Sequence, residues 1–243
     1  MIIKEITSKD NQYVLEALKL KHPKYRFQEK LFLIEGEHLL EMALNTKKVK
    51  HLFVLKPFKN INLLQLVIPL VIMKKLSSKK SPPNVIAVCY ELEAKEITTK
   101  KLIYLDEVSD PGNLGTILRT ALAFGYQDIL LSKKCASIYN EKVISATQGA
   151  LFNLNLIQSS TKHLETLKDE GYQIVATSLK NAISFEEVNL LEKYIIVFGN
   201  EGRGVSQDIL KISDIKIKIP MHSIESLNVS VAASIILYRL SQR

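Results

Sequence analysis

The chain has no tryptophan and only two cysteines, Cys89 and Cys135, set far apart and outside any CxxC or Cys/His cluster. Both are expected to be buried, reduced thiols of a cytosolic protein. Its five histidines, His22, His38, His51, His163 and His222, show no metal-ligand spacing, so no metal is expected. No apolar run reaches the roughly 18 residues that span a bilayer. The start, Met1-Ile2-Ile3-Lys4-Glu5, lacks the basic, apolar and small-residue order of a signal peptide, and a cytoplasmic location is the expectation. No GxxxxGK[ST] phosphate loop is present, and no G-x-S-x-G nucleophile elbow. Gly199 to Gly204 has the order G-x-x-G-x-G, not the dinucleotide G-x-G-x-x-G, and follows a late strand. Serine hydrolysis and nucleotide-cofactor oxidoreduction therefore have no support.

What is present is enough apolar sequence, 47% of 243 residues, for one large core or two modest ones. The net charge of +8 is unevenly placed. Residues 1–100 carry 18 Lys+Arg against 10 Asp+Glu, whereas the remaining 143 hold 15 against 15. Between Glu41 and Glu91 stand nine lysines and no acid. Such a field attracts polyanions, and the asymmetry points to an N-terminal nucleic-acid-binding module.

Periodicity predicts a basic helix from about Asn11, strands at 31–35, 50–55 and 84–90, and helices at 37–45 and 61–66. Val67–Met73 is expected to be a strand, at an edge because of Pro69. Residues 91–100 have the composition of a linker. The second half alternates strands at 101–105, 128–131, 153–157, 173–177, 194–198 and 215–219 with helices at 114–124, 141–146, 162–170, 206–211 and 227–240. The fold class is therefore α/β, a mostly parallel sheet covered on both faces, behind a small α/β domain. The expected division is 1–95 and 96–243.

Three polar patches follow strands of the second half, where α/β proteins place their sites. In Asp110-Pro111-Gly112-Asn113-Leu114-Gly115 the glycines turn the chain and Asn113 can cap the next helix, whose Arg119 is either a surface charge or a phosphate anchor. Glu201 and Arg203 lie among Gly199, Gly202 and Gly204, whose backbone can approach a ligand closely. Ser226 and Asn228 precede a long apolar run as helix caps or as site residues. These residue types alone do not name a reaction.

Together the three patches resemble the SpoU (TrmH-like) family of RNA ribose 2′-O-methyltransferases, within the SPOUT superfamily. Asn113-x-Gly115-x-x-x-Arg119 is similar to the family's first motif and Phe198-Gly199-Asn200-Glu201-Gly202-Arg203-Gly204 to its second. Ile219-Pro220-Met221 with Glu225-Ser226-Leu227-Asn228-Val229-Ser230 is similar to the third. More loosely, Leu31 to Leu40 resembles the ribosomal-protein-like RNA-binding domain that many members carry in front. The third-motif loop lacks a glycine common in the family, and Thr147-Gln148-Gly149-Ala150 has threonine where the family has serine.

The resemblance implies S-adenosylmethionine as cofactor, a trefoil knot in the C-terminal segment, a homodimer, and RNA as substrate, ribosomal rather than transfer RNA. It assigns catalysis to Arg119 with Asn113, Glu201, Ser226 and Asn228. The cofactor neighbourhood it implies comprises Thr177, Gly199, Asn200, Gly202, Ile219, Leu227 and Asn228. A guanidinium is a poor base, so Arg119 is expected to grip a phosphate and polarise the hydroxyl, with Glu201 or water as proton acceptor. The rival expectation is a non-catalytic RNA-binding or ribosome-assembly factor on the same scaffold.

Overall fold

A computed structural model describes residues 2–242. The chain divides into two units, residues 1–93 with 139–152, and residues 94–138 with 153–243. The return of 139–152 to the first unit is not visible in sequence periodicity.

The first unit contains β1 (Ile2–Glu5), α1 (Gln12–Lys19), α2 (Pro23–Glu29), β2 (Leu31–Glu35), α3 (Glu37–Leu44), β3 (Val49–Val54), β4 (Leu64–Val67), α4 (Leu70–Leu76) and β5 (Val85–Tyr90). Its sheet runs in the order β1-β4-β3-β5-β2, with β2 and β3 antiparallel to β5 and the other pairs parallel. Two local expectations fail here. The helix expected at 61–66 is instead β4, because Leu64–Val67 slots between β1 and β3. The strand expected over Val67–Met73 gives way to α4: Pro69, with φ −70° and ψ 157°, is its N-cap, and Ile72, Met73 and Leu76 fall on one buried face. Strand β1 has no buried residue and α2 no long apolar stripe, so neither leaves a signal in the sequence.

Val14, Ala17, Phe53, Leu66, Met73, Leu76, Ile86 and Val88 form this unit's core. Gln65 is wholly buried within it yet fully used, its carboxamide bonding the backbone N–H and C=O of Phe58 and the carbonyl of Ile61. In the returning segment, α6 (Glu141–Thr147) lies against β2, and Tyr139 stacks on Phe32 with centroids 4.5 Å apart. Gly149, at φ +89°, is forced there: a Cβ would overlap the sulfur of Met42.

The second unit contains β6 (Lys101–Leu105), α5 (Pro111–Ala123), β7 (Asp128–Leu131), β8 (Asn155–Gln158), α7 (Thr161–Asp169), β9 (Gln173–Thr177), β10 (Ile183–Ser184), β11 (Tyr194–Phe198), α8 (Gln207–Ile212), β12 (Ile215–Lys218) and α9 (Val229–Ser241). The expected α/β class holds, with one strand more than foreseen. Seven strands in the order β10-β12-β9-β11-β6-β7-β8 pair in parallel throughout. Every residue of β11 is buried, as a central parallel strand requires.

The stretch expected to be a linker has no regular element but is pinned. Buried Asp128 accepts from the N–H groups of Thr98 and Thr99 and the Thr99 hydroxyl, and its other oxygen accepts from Asn155 at 2.6 Å. Cys89 is buried as expected, whereas Cys135 is only partly so, because it sits in the loop after β7 with its Sγ donating to the carbonyl of Leu105.

His51 is 6% exposed between the rings of Tyr13 and Phe53, and its Nε2 has no hydrogen-bond partner. Burial, then the neighbouring charge of Lys50, pushes its pKa down to about 4. The unfolded chain takes up a proton near pH 6.5 that the folded chain refuses. Stability therefore falls as pH drops from 6.5 towards 4, by about 3 kcal/mol in total. Urea midpoints at pH 7 and pH 4.5 should show this loss, and His51→Leu should flatten it.

Candidate active site

Because all seven strands run parallel, the loops after β6, β9, β11 and β12 leave from one edge of the sheet. The loop after β6 is tied at once to the loop after β11. Asp106 donates its N–H to the Phe198 carbonyl, and its carboxylate, 4% exposed, accepts from the N–H of Ser206. Glu107 takes φ +58° and receives Lys134 Nζ on one oxygen and the Arg203 guanidinium on the other.

Within the second loop, Asn200 and Gly204 form a two-bond antiparallel bridge. The Asn200 Oδ1 accepts from the N–H groups of Gly202 and Arg203, and its Nδ2 donates to the Glu107 carbonyl at 2.8 Å. Gly199 is obligatory in this tight fold, since a Cβ there would overlap the backbone of Gly204 and Val205.

Glu201 is the hub. Its carboxylate accepts from the Ser109 hydroxyl, the N–H groups of Ser109 and Asp110, and the side-chain amides of Asn113 (3.2 Å) and Asn200. Partial burial would raise its pKa. Its own backbone N–H, Asn113, Asp110 and Ser109 outweigh that by hydrogen bonding the charged form, so the carboxyl lies below its ordinary value. The Asn113 Oδ1 in turn accepts from Asn228 Nδ2 at 2.9 Å. Asn228 is the N-cap of α9, its Oδ1 taking the N–H of Ser230 and of Val231. One continuous side-chain line, Asn228–Asn113–Glu201, thus joins the third loop to the first and second.

The structure brings Asn113, Asn200, Glu201 and Asn228 together. It corrects one expectation: Asn113 does not cap α5. The helix begins at Pro111, and Asp110 is its N-cap, accepting from the Asn113 N–H at 2.8 Å. Proline at the first helical position needs no amide partner, so the helix starts three residues earlier than apolar periodicity implied. Arg119 lies two turns beyond Asn113 on the same helix, exposed, and makes no hydrogen bond or ion pair among the described residues. Ser226 and His222 are likewise exposed and unbonded.

Of the expected cofactor neighbours, Thr177 spends its hydroxyl on the Val197 carbonyl across β9 and β11. Gly202 spends its N–H on Asn200. Ile219 and Leu227 are half-buried and frame residues 221–227, none of which bonds to another described residue. Unspent backbone donors and acceptors between two apolar side chains fit a heteroaromatic base with polar edges.

Residues 100–238 match the model of the SpoU rRNA Methylase family, and residues 11–87 match an MRM3-like substrate binding domain. The chain belongs to the SpoU rRNA Methylase family. It is 34% identical to the 23S rRNA (guanosine(2553)-2′-O)-methyltransferase RlmP of Bacillus subtilis, over 98% of this chain and 99% of that one. The crystal structure of an rRNA methyltransferase from Sinorhizobium meliloti is 25% identical, with a TM-score of 0.89 over 100% of this chain and 98% of that chain. An AdoMet-bound rRNA methyltransferase from the same organism shares the fold at 24% identity and a TM-score of 0.88, over 99% and 98%.

Within this SpoU family site, sequence reasoning missed Asp106, Glu107, Ser109 and Lys134. The Asp110-Pro111 pair carried a readable signal, the N-cap followed by proline at the first helical position. The others carried none, since Asp106, Glu107 and Ser109 act across loops nearly a hundred residues apart and Lys134 reaches Glu107 from the loop after the next strand.

The first two glycines of the second loop should behave differently. Gly199→Ala should destabilise by about 1–3 kcal/mol through overpacking against backbone. Gly202→Ala meets nothing closer than the Asn200 carboxamide oxygen, 3.7 Å away, and should leave the melting temperature unchanged. Thermal unfolding of the two variants side by side checks the contrast.

Proposed function

We propose that this chain is an S-adenosylmethionine-dependent methyltransferase acting on a ribose 2′-hydroxyl of ribosomal RNA. The observation that carries this is the line Asn228–Asn113–Glu201, which locks the three motif loops into one polar surface. Family membership, likeness to RlmP along nearly the whole chain, and a fold shared with an AdoMet-bound rRNA methyltransferase support it.

When bound, the cofactor supplies a methyl group made electrophilic by the adjacent sulfonium. Gly199, Asn200, Gly202 and residues 219–228 would hold it through backbone groups, with Thr177 closing the floor. The protein's own part is then chiefly positioning. Arg119 has a planar guanidinium with no partner among the described residues, free to take a phosphate beside the target ribose in two parallel bonds. The Ser226 hydroxyl, also unspent, faces the same task of orienting substrate. Glu201 is an unsuitable base, because five hydrogen bonds already stabilise its charged form. It holds Asn113 and the loop backbone, and the ribose proton leaves to water.

The lysine-rich first unit supplies RNA affinity, in keeping with the substrate-binding-domain match at 11–87. A homodimer is supported by α9, where Val231, Ile235 and Tyr238 stand exposed at helical spacing. A trefoil knot in the C-terminal segment is what membership of the SpoU family implies. Likeness to the Bacillus subtilis enzyme RlmP favours a cytoplasmic location, since a bacterium keeps its ribosomes there.

Calorimetric titration with S-adenosylmethionine, followed by radiolabelled methyl transfer to 23S rRNA, tests the enzyme directly. Label that survives alkali at one nucleotide is expected, and absence of cofactor binding by folded protein would return it to a non-catalytic RNA-binding role. Arg119→Lys should bind cofactor normally and lose about 100-fold in kcat, since a point charge cannot make the paired grip. Near-normal turnover would exclude that grip.

A further inference from the structure

At one end of the first unit's sheet, exposed aromatic rings and lysines interleave in a way that neither the fold nor the catalytic site requires. Phe27, on α2, is 72% exposed, and Tyr90, the last residue of β5, is 45% exposed. Each carries an ammonium over its ring: Lys30 Nζ lies 4.4 Å from the Phe27 centroid and Lys50 Nζ lies 5.8 Å from that of Tyr90. Two further pairs, Lys19 over Tyr25 and Lys4 over Tyr13, continue the pattern on the same unit.

The two rings meet at one corner of the unit. Tyr90 shares a face of β5 with the core residues Val88 and Ile86 and lies opposite Leu31, the first residue of β2, two positions past the end of α2. Lys30 links them. It ends α2 with φ +54°, unusual for a residue with a side chain, and its carbonyl accepts from the Glu91 N–H beside Tyr90. Its ammonium also lies 3.6 Å from the Glu91 carboxylate. Exposed rings of this size cost solubility unless something covers them, and the lysines set the sign of the partner. A ring face flanked by cations suits an unpaired base with its phosphate, because every base offers a π face to stack and a phosphate to neutralise.

We infer that Phe27 and Tyr90, with Lys30 and Lys50, form a stacking platform for unpaired nucleotides of the RNA substrate. This rests on the reading of the chain as an rRNA methyltransferase and adds that the first unit grips single-stranded RNA. Duplex RNA offers only sugar, phosphate and the shallow groove, so an unpaired stretch of the RNA is what the platform selects.

The full-length protein is titrated with a fluorescein-labelled single strand of about 12 nucleotides and with its duplex, alongside methyl transfer to 23S rRNA. The parent should prefer the single strand. Phe27→Ala with Tyr90→Ala should weaken single-strand binding about 10- to 100-fold, leave duplex binding, cofactor binding and melting temperature unchanged, and keep the salt slope. Lys30→Ala with Lys50→Ala should reduce the slope. The chain has no tryptophan, so Phe27→Trp adds a single reporter whose emission the stacked base should quench. A parent that methylates rRNA while the double aromatic variant binds and turns over equally would overturn the platform and leave the enzyme standing. A parent that binds neither RNA nor cofactor would remove both. A variant that changed oligomeric state instead of RNA affinity would assign the rings to a protein interface and overturn the inference.

Discussion

Everything at the catalytic edge depends on one carboxylate. Glu201 accepts five hydrogen bonds from two stretches of chain, residues 109–113 and Asn200, and Asn113 passes the connection on to the cap of α9, so the three loops have a common anchor. An ionised carboxylate suits that task because it has acceptor capacity in several directions and charge-assisted bonds are the stronger kind. Those bonds also keep it ionised, so the anchor holds through neutral pH and loosens only in acid. A residue committed in this way cannot also be the proton acceptor. The same saturation that organises the surface contrasts with Arg119 and Ser226, which bond to nothing among the described residues and, under the proposed function, are the groups that meet the substrate.

Glycine and asparagine serve that anchor in complementary ways. Gly199 lets the backbone of Gly204 and Val205 pass at a distance no side chain permits, and Asn200 fills the resulting turn with its own carboxamide. Asp106 then fixes the far end of the turn at Ser206. By contrast residues 221–227 make no hydrogen bonds among the described residues. Rigid and unspent loops side by side are what a site needs if one part must hold geometry and another must accept a ligand.

Most of the second unit was legible because a parallel sheet buries its strands on both faces, and runs such as Tyr194–Phe198 stand out as continuous apolar segments. The first unit was harder for the opposite reason. Its edge strand β1 is exposed throughout, and Leu64–Val67 and Leu70–Leu76 are short apolar runs in which pairing and a proline cap, not periodicity, decide between strand and helix. In the site, Asn113, Glu201 and Asn228 were legible from three motifs, but their mutual bonding was not. Glycines announce close approach without saying to what, and Asp106 and Glu107 are ordinary acids until the fold sets them against Ser206 and Arg203. The excursion of 139–152 left no trace either, since Tyr139 and Phe152 look like any core aromatics until they stack on Phe32.

The distribution of charge follows from this division. The second unit is nearly balanced, 16 Lys+Arg against 15 Asp+Glu, and the acids of its site, Asp106, Glu107 and Glu201, are all engaged within it, so it has little long-range pull on a polyanion. A catalytic surface that relies on a single guanidinium for phosphate would hold a large RNA weakly and release it fast. Under the proposed function the lysines of the first unit would supply the missing attraction, and electrostatic attraction alone does not distinguish one stretch of RNA from another. Discrimination then has to come from contacts that depend on the state of the bases. Exposed rings under lysines, placed on the unit that already carries the charge, meet that requirement with no groove-reading element.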